Sequence, residues 1–162
     1  MQTKSYRNFA ASFSRLMACA VLLLAGSVTS VLGQMPVTNI TLLAGDAAGT
    51  SSFTGATNWN NGLAPFSGNG LFTNAYFTTN FNLRTPAGGN PYTFAGDSLE
   101  VDSGGMGFKG YGTITVSNLI LNGGKISNAG TGGSPDTALL AGNINVIASS
   151  SFDGGSTAGV TA

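Results

Sequence analysis

Short stretches of alternating apolar and polar residues recur along the second half of the chain at nearly even spacing. A tripeptide also recurs: residues 95–97 (Ala-Gly-Asp) match residues 141–143 (Ala-Gly-Asn), 46 positions further on, which equals two repeats of about 23. Repeats of this length are typical of stacked coils, each of which buries its apolar face against the next. The pattern therefore predicts an all-β chain that folds as a short parallel β-helix. The three clearest stretches are Leu99-Glu100-Val101, Leu119-Ile120-Leu121 and Ile144-Asn145-Val146, whose first residues are 20 and 25 positions apart.

The same alternation predicts which side chains face the interior. Successive residues of a strand point to opposite faces, so Leu99 and Val101 are expected inside and Glu100 and Asp102 outside. Gly and Asn interrupt every helical pattern, and no long helix is expected. Short strands with Gly-rich turns also suit an antiparallel β-sandwich, which remains the alternative fold. The match at 46 residues favours the β-helix.

The first 33 residues have the pattern of a secretory signal peptide. Basic residues precede an uncharged apolar core at 16–25, and Val31 and Gly33 occupy cleavage positions before Gln34. The core is about half as long as a bilayer span requires. We therefore expect export to the periplasm, the cell surface or the exterior. Cys19, the only cysteine, lies in this segment, so the chain after it contains no disulfide.

The remaining chain divides into two predicted regions. Residues 34–90 form an irregular capping β region, and residues 91–162 form the coils, which are expected to be incomplete at their C-terminal end. Trp59 and Phe66 are expected to cover the apolar interior of the first coil, because the end of a stack must be covered. The alternative is that Trp59 stacks on a sugar ring. An uncovered last coil would leave a strand edge that can pair with other chains.

Charge excludes several classes of function. Three of the six Lys and Arg residues lie in the first 33 positions, so the remainder has three basic and six acidic residues, a net charge of −3. This balance provides no basic patch for nucleic acid or anionic lipid. The chain has no histidine, which removes Ser-His-Asp and Cys-His catalysis and His-ligated zinc.

The remaining candidates for chemistry are weak. Glu100 and Asp102 are the best catalytic or metal-binding pair, but a glycosidase needs two carboxylates that flank one bond, and two carboxylates are too few for a hard cation. The segment 105–110 has Gly at the positions of a dinucleotide fingerprint, but a strand follows it where a helix is required. Lys109 stands where a glycine-rich calcium repeat would place Asp. We therefore predict no enzyme activity, no cofactor and no metal.

Several segments together resemble a known family. They are the spaced Trp59, Gly62, Pro65 and Gly68, the segment Leu83-Arg84-Thr85-Pro86, residues 92–99 (Tyr-Thr-Phe-Ala-Gly-Asp-Ser-Leu), and residues 119–124 (Leu-Ile-Leu-Asn-Gly-Gly). This combination resembles the N-terminal part of exported bacterial proteins with autotransporter-associated β-strand repeats. The resemblance covers roughly residues 41–155 and implies a right-handed β-helix at the cell surface or outside the cell. Such proteins are usually much longer, so truncation is an expectation here.

The resulting expectation for function is an exported, non-enzymatic surface module that serves in adhesion or surface display. Its partners would be polysaccharide or other surface proteins, with self-association through strand edges, no nucleic acid and no membrane-spanning segment after residue 33. The alternative is a carbohydrate-active or carbohydrate-binding β-helix protein, or its remnant, that uses Glu100 and Asp102 or Trp59.

Overall fold

The computed structural model of the protein describes residues 34–129 and 137–154. The predicted signal peptide lies outside the described residues. Within them the chain is all-β, with ten strands and no helix. The strands are β1 (Val37–Thr41), β2 (Thr73–Phe77), β3 (Asn82–Arg84), β4 (Tyr92–Thr93), β5 (Ser98–Asp102), β6 (Gly105–Phe108), β7 (Gly112–Asn122), β8 (Lys125–Asn128), β9 (Ala138–Ala148) and β10 (Ser151–Asp153).

The strands form two sheets in which every paired strand runs parallel to its neighbour. The larger sheet has the order β1-β2-β5-β7-β4, with β9 also paired to β7, and the smaller sheet has the order β10-β8-β6-β3. All the strand pairs of both sheets are parallel. The alternative of an antiparallel sandwich is therefore wrong, because that fold requires neighbouring strands in opposite directions.

The register confirms the repeat that the sequence predicts. Leu99 on β5 pairs with Leu119 on β7, and Leu119 pairs with Ile144 on β9. The next inward column consists of Val101, Leu121 and Val146 in the same order. Because identical faces align from strand to strand, each apolar side chain lies directly over another of its kind.

The chain alternates between the two sheets as it proceeds. Strands β2, β5, β7 and β9 belong to the larger sheet, and each is followed in the sequence by a strand of the smaller sheet, except that β4 of the larger sheet lies between β3 and β5. The inward residues of both sheets form a single buried cluster. From the larger sheet it includes Tyr76, Leu99, Val101, Leu119 and Leu121, and from the smaller sheet Leu83, Met106 and Ile126.

The segment between β1 and β2 covers the core at the β1–β2 end of the larger sheet. The Trp59 ring packs edge-on against Tyr76, with ring centroids 4.8 Å apart, and Phe53 lies 5.3 Å from Phe94. Trp59 Nε1 donates a hydrogen bond of 2.7 Å to Ser52 O, which satisfies the polar end of the buried indole. Trp59 therefore belongs to the buried core cluster.

The predicted capping region is continuous with the later strands of both sheets. Strands β2 and β3 lie within residues 34–90, yet they pair in parallel with β5 and β6 of the region 91–162. The early strands therefore start the same two sheets and do not form a separate layer.

Candidate functional site

The two carboxylates that the sequence selects lie together on the outer face of β5. Glu100 and Asp102 alternate with the fully buried Leu99 and Val101, as the strand pattern predicts. Both side chains are half-buried because the neighbouring strands flank them.

Each of these carboxylates bonds to a polar neighbour from an adjoining part of the fold. Asn122 Nδ2 on β7 donates a hydrogen bond of 2.7 Å to Glu100 Oε1. Thr78 Oγ1, just after β2, donates a bond of 3.3 Å to Asp102 Oδ1. The two acids thus tie three successive strands of the larger sheet together on its outer side. This is the arrangement expected of a structural polar ladder.

The surroundings of the pair provide little for catalysis or metal binding. Among residues 34–129 and 137–154 no group of three or more His, Cys, Asp or Glu side chains lies close enough to hold a metal ion. Neither Glu100 nor Asp102 lines either of the two depressions on the described surface.

Two shallow depressions lie elsewhere on the described surface. The first, of about 410 Å³, is lined by Asn118, Leu119, Ile120, Asn143 and Asn145. The second, of about 360 Å³, lies over the outer face of the smaller sheet, and its lining includes Asp46, Arg84 and Lys125. Its two cationic side chains already have partners.

These two cations are bound within the fold. Lys125 Nζ lies 2.6 Å from Asp153 Oδ2, and Arg84 Nη2 donates to Ala129 O at 3.3 Å. Since the ion pair of Lys125 and Asp153 is about half-exposed, it contributes little to stability. The second depression therefore resembles a solvated surface groove more than a site prepared for an anion.

Trp59 is not available for a sugar. Trp59 is 3% exposed, and its ring packs against those of Tyr76 and Phe94. Stacking on a sugar requires an open ring face, so the alternative role of Trp59 is unsupported. Phe66, which was expected to share the covering role, remains 38% exposed.

Asp97 forms a polar corner whose partners the sequence did not reveal. Ser67 Oγ and the N–H of Gly68 (2.9 Å) and of Asn74 (2.7 Å) donate to its carboxylate. Burial raises the pKa of Asp97, but the hydrogen bonds from Ser67, Asn74 and Gly68 together outweigh burial, so its pKa lies below the usual 3.8. Asp97 therefore stays ionised and joins the covering segment to the start of β2 and β5.

Asp46 is a second structural acid that sequence reasoning missed. Its side chain is buried and accepts four hydrogen bonds, from Ser52 N, Ser52 Oγ, Asn58 Nδ2 and Arg84 N, at 2.6–3.0 Å. A buried carboxylate requires such partners. A signal was present in the sequence: Asp46 is the only charged residue between positions 34 and 83.

The opposite end of the core has a surface of a different kind. We call the inward-facing Ile144, Val146 and Phe152 of β9 and β10 the open face. They are 44%, 56% and 49% exposed. Their partners on the preceding strands are 1%, 0% and 3% exposed, and these are Leu119, Leu121 and Ile126.

Comparisons of the chain with models of known protein families, with curated proteins and with solved structures find no match. In the part of the chain that the structure describes, no helix has the length and apolar character needed to cross a membrane.

Proposed function

We propose that the protein is an exported structural module that folds as a short right-handed parallel β-helix and acts at the cell surface in adhesion or surface display. The observation that carries the proposal is the in-register column Leu99–Leu119–Ile144, repeated one step along as Val101–Leu121–Val146. Successive turns of a β-helix would produce this alignment, and the alternation of the chain between two parallel sheets agrees with it.

The chemistry of the outer surface supports a structural role. Glu100, Asp102 and Asp97 are all engaged in hydrogen bonds that connect strands or cover the core. The leader-like first 33 residues and the resemblance to exported repeat proteins support the location. The absence of histidine from the sequence leaves few arrangements for acid–base chemistry near neutral pH.

Engineered disulfides test the stacking directly, because Cys19 is the only natural cysteine. Ile120 and Asn145 are register partners on the outer faces of β7 and β9. Their Cα atoms should lie about 4.8 Å apart, within the range that a disulfide spans. We expect the Ile120→Cys/Asn145→Cys variant to form an intramolecular disulfide under mild oxidation.

The matched control shifts one cysteine by two residues. In the Ile120→Cys/Asn143→Cys variant both cysteines face outwards, but the Cα atoms should be about 8 Å apart, too far for a disulfide. A bond that forms equally well in both variants would contradict the stacked register.

Export is tested separately by the N-terminus of the protein recovered from a bacterial host. We expect cleavage before Gln34, and replacement of Leu23 in the apolar core by Arg should block it. Mass spectrometry of the recovered chain distinguishes the cleaved chain from the uncleaved one. An unprocessed wild-type chain in the cytoplasm would overturn the exported role.

The second candidate function is a carbohydrate-active or carbohydrate-binding protein. The observation in its favour is that Glu100 and Asp102 share one outward face of a parallel sheet. Turnover of an acidic polysaccharide that is abolished by Glu100→Gln, with an unchanged fold, would establish it. Absence of turnover in the wild-type chain is expected on the structural proposal.

A further inference from the structure

The open face resembles the uncovered end of a stack of coils. One step earlier in the same columns, Leu119, Leu121 and Ile126 are buried because β9 and β10 cover them. Ile144, Val146 and Phe152 occupy the equivalent positions and have no such cover within the described residues.

Among the described strands, β9 pairs only with β7, so one edge of its backbone has no described strand beside it. Natural edge strands are usually protected by charged residues, Pro or bulges. The stretch 138–148 contains no charged residue and no Pro, and its two register shifts against β7 leave regular segments at 138–141 and 143–146. These two segments can serve as templates for a further strand.

The two ends of the larger sheet differ, which restricts what can dock. At the β1–β2 end the rings of Phe53 and Trp59 lie over the core. A second copy that approached head to tail would bring this aromatic cover against the open face. The β1 edge that it would offer has only 5 residues, against 11 for β9, and Asn60 already bonds to Thr41 O on it. Tail to tail, each open face meets an identical apolar surface with no charge on β9 to repel it.

The area is that of a weak contact. The 11 residues of β9, at about 3.3 Å per residue and with about 10 Å between packed sheets, give an end face of about 360 Å². Two such faces bury about 700 Å² in total, which is in the range of weak, transient contacts.

We propose that two copies of this chain associate tail to tail through their open faces, with β9 of one copy antiparallel to β9 of the other around a twofold axis. A twofold contact is closed, so it ends at the dimer. The inference rests on the coil architecture proposed above and concerns its partner.

Sedimentation velocity and light scattering over about 1–200 μM, a range set for a small interface, test the proposal on the chain purified after expression with its own N-terminal segment. We expect a reversible dimer. Val146→Lys, on the open face, should weaken dimer formation at least tenfold. Val37→Lys is the matched control: Val37 is 53% exposed on β1, an edge strand at the covered end of the same sheet, and its substitution should leave the dimer unchanged.

Each outcome is decisive. A wild-type chain that is monomeric throughout, equal loss of the dimer in both variants, or a mass that rises beyond the dimer would overturn the proposal. If Val146→Lys fails to fold, the isosteric Val146→Thr replaces it and should weaken the dimer severalfold. Far-UV circular dichroism distinguishes failure of the proposed fold from failure of the proposed dimer. A wild-type chain without a β spectrum would contradict the fold, whereas a β-rich monomer would contradict only the dimer.

Discussion

A single column of aligned side chains permits a quantitative test of the stacking. Leu99, Leu119 and Ile144 occupy equivalent positions on β5, β7 and β9, but the first two are fully buried and Ile144 is half-exposed. Truncation of a fully buried Leu to Ala costs about 2–5 kcal/mol, since it removes transfer energy and leaves a cavity. Ile144→Ala leaves no closed cavity and loses about half of the transfer term, so we expect a cost of about 1 kcal/mol.

Equilibrium unfolding in urea measures these costs, at concentrations where the chain is monomeric so that no second copy covers Ile144. The substitution Asn145→Ala, outward on the same strand, is the control and should change the free energy of unfolding by less than about 0.5 kcal/mol. If Ile144→Ala costs as much as Leu119→Ala in the monomer, the end of the core is not open. If Leu119→Ala costs less than about 1 kcal/mol, the strands are not stacked as described.

Three further predictions concern the corner, the turns and the cap. Asp97→Asn should lower the free energy of unfolding by about 1–3 kcal/mol at neutral pH. Because folding lowers the pKa of Asp97, its contribution to stability is complete above the ordinary pKa of 3.8 and disappears as the pH falls through the folded pKa. The stabilities of wild type and variant should therefore converge in acid, and an equal difference at every pH would contradict the assigned role. Gly124→Ala places a Cβ about 2.4 Å from Val101 O and should lower the melting temperature by several degrees; a variant as stable as wild type would show that this close approach is absent. Trp59, the only tryptophan, should emit at short wavelength in the folded chain and should not respond to added sugars, whereas sugar-dependent quenching would restore its binding role.

The sequence was sufficient for the repeating part of the fold. The period of two within each strand distinguishes Leu99 and Val101 from Glu100 and Asp102, and the spacing of the repeats gave the correct partners on β7 and β9. Both patterns are local or periodic, so they can be recognised in the sequence without knowledge of the tertiary contacts. The parallel direction of the strands followed because stacked repeats of one chain present the same edge in the same direction.

The contacts that are distant in sequence were decided by the tertiary structure. Asp46 bonds to the backbone of Arg84, and Asp97 bonds to Ser67 and Gly68, across loops whose path no period describes. The structure also decided that Trp59 is buried, since an aromatic residue among turns suits a cover and a sugar platform equally well.

The contrast between Leu121 and Val146 shows the physical reason for this division. Both occupy the same inward position of the repeat, and the sequence treats them alike. Leu121 is buried and Val146 is more than half-exposed, because among the described strands only Leu121 has a further strand over it. Alternation determines the direction in which a side chain points, whereas burial depends on the neighbouring layer, which is a property of the assembled sheets.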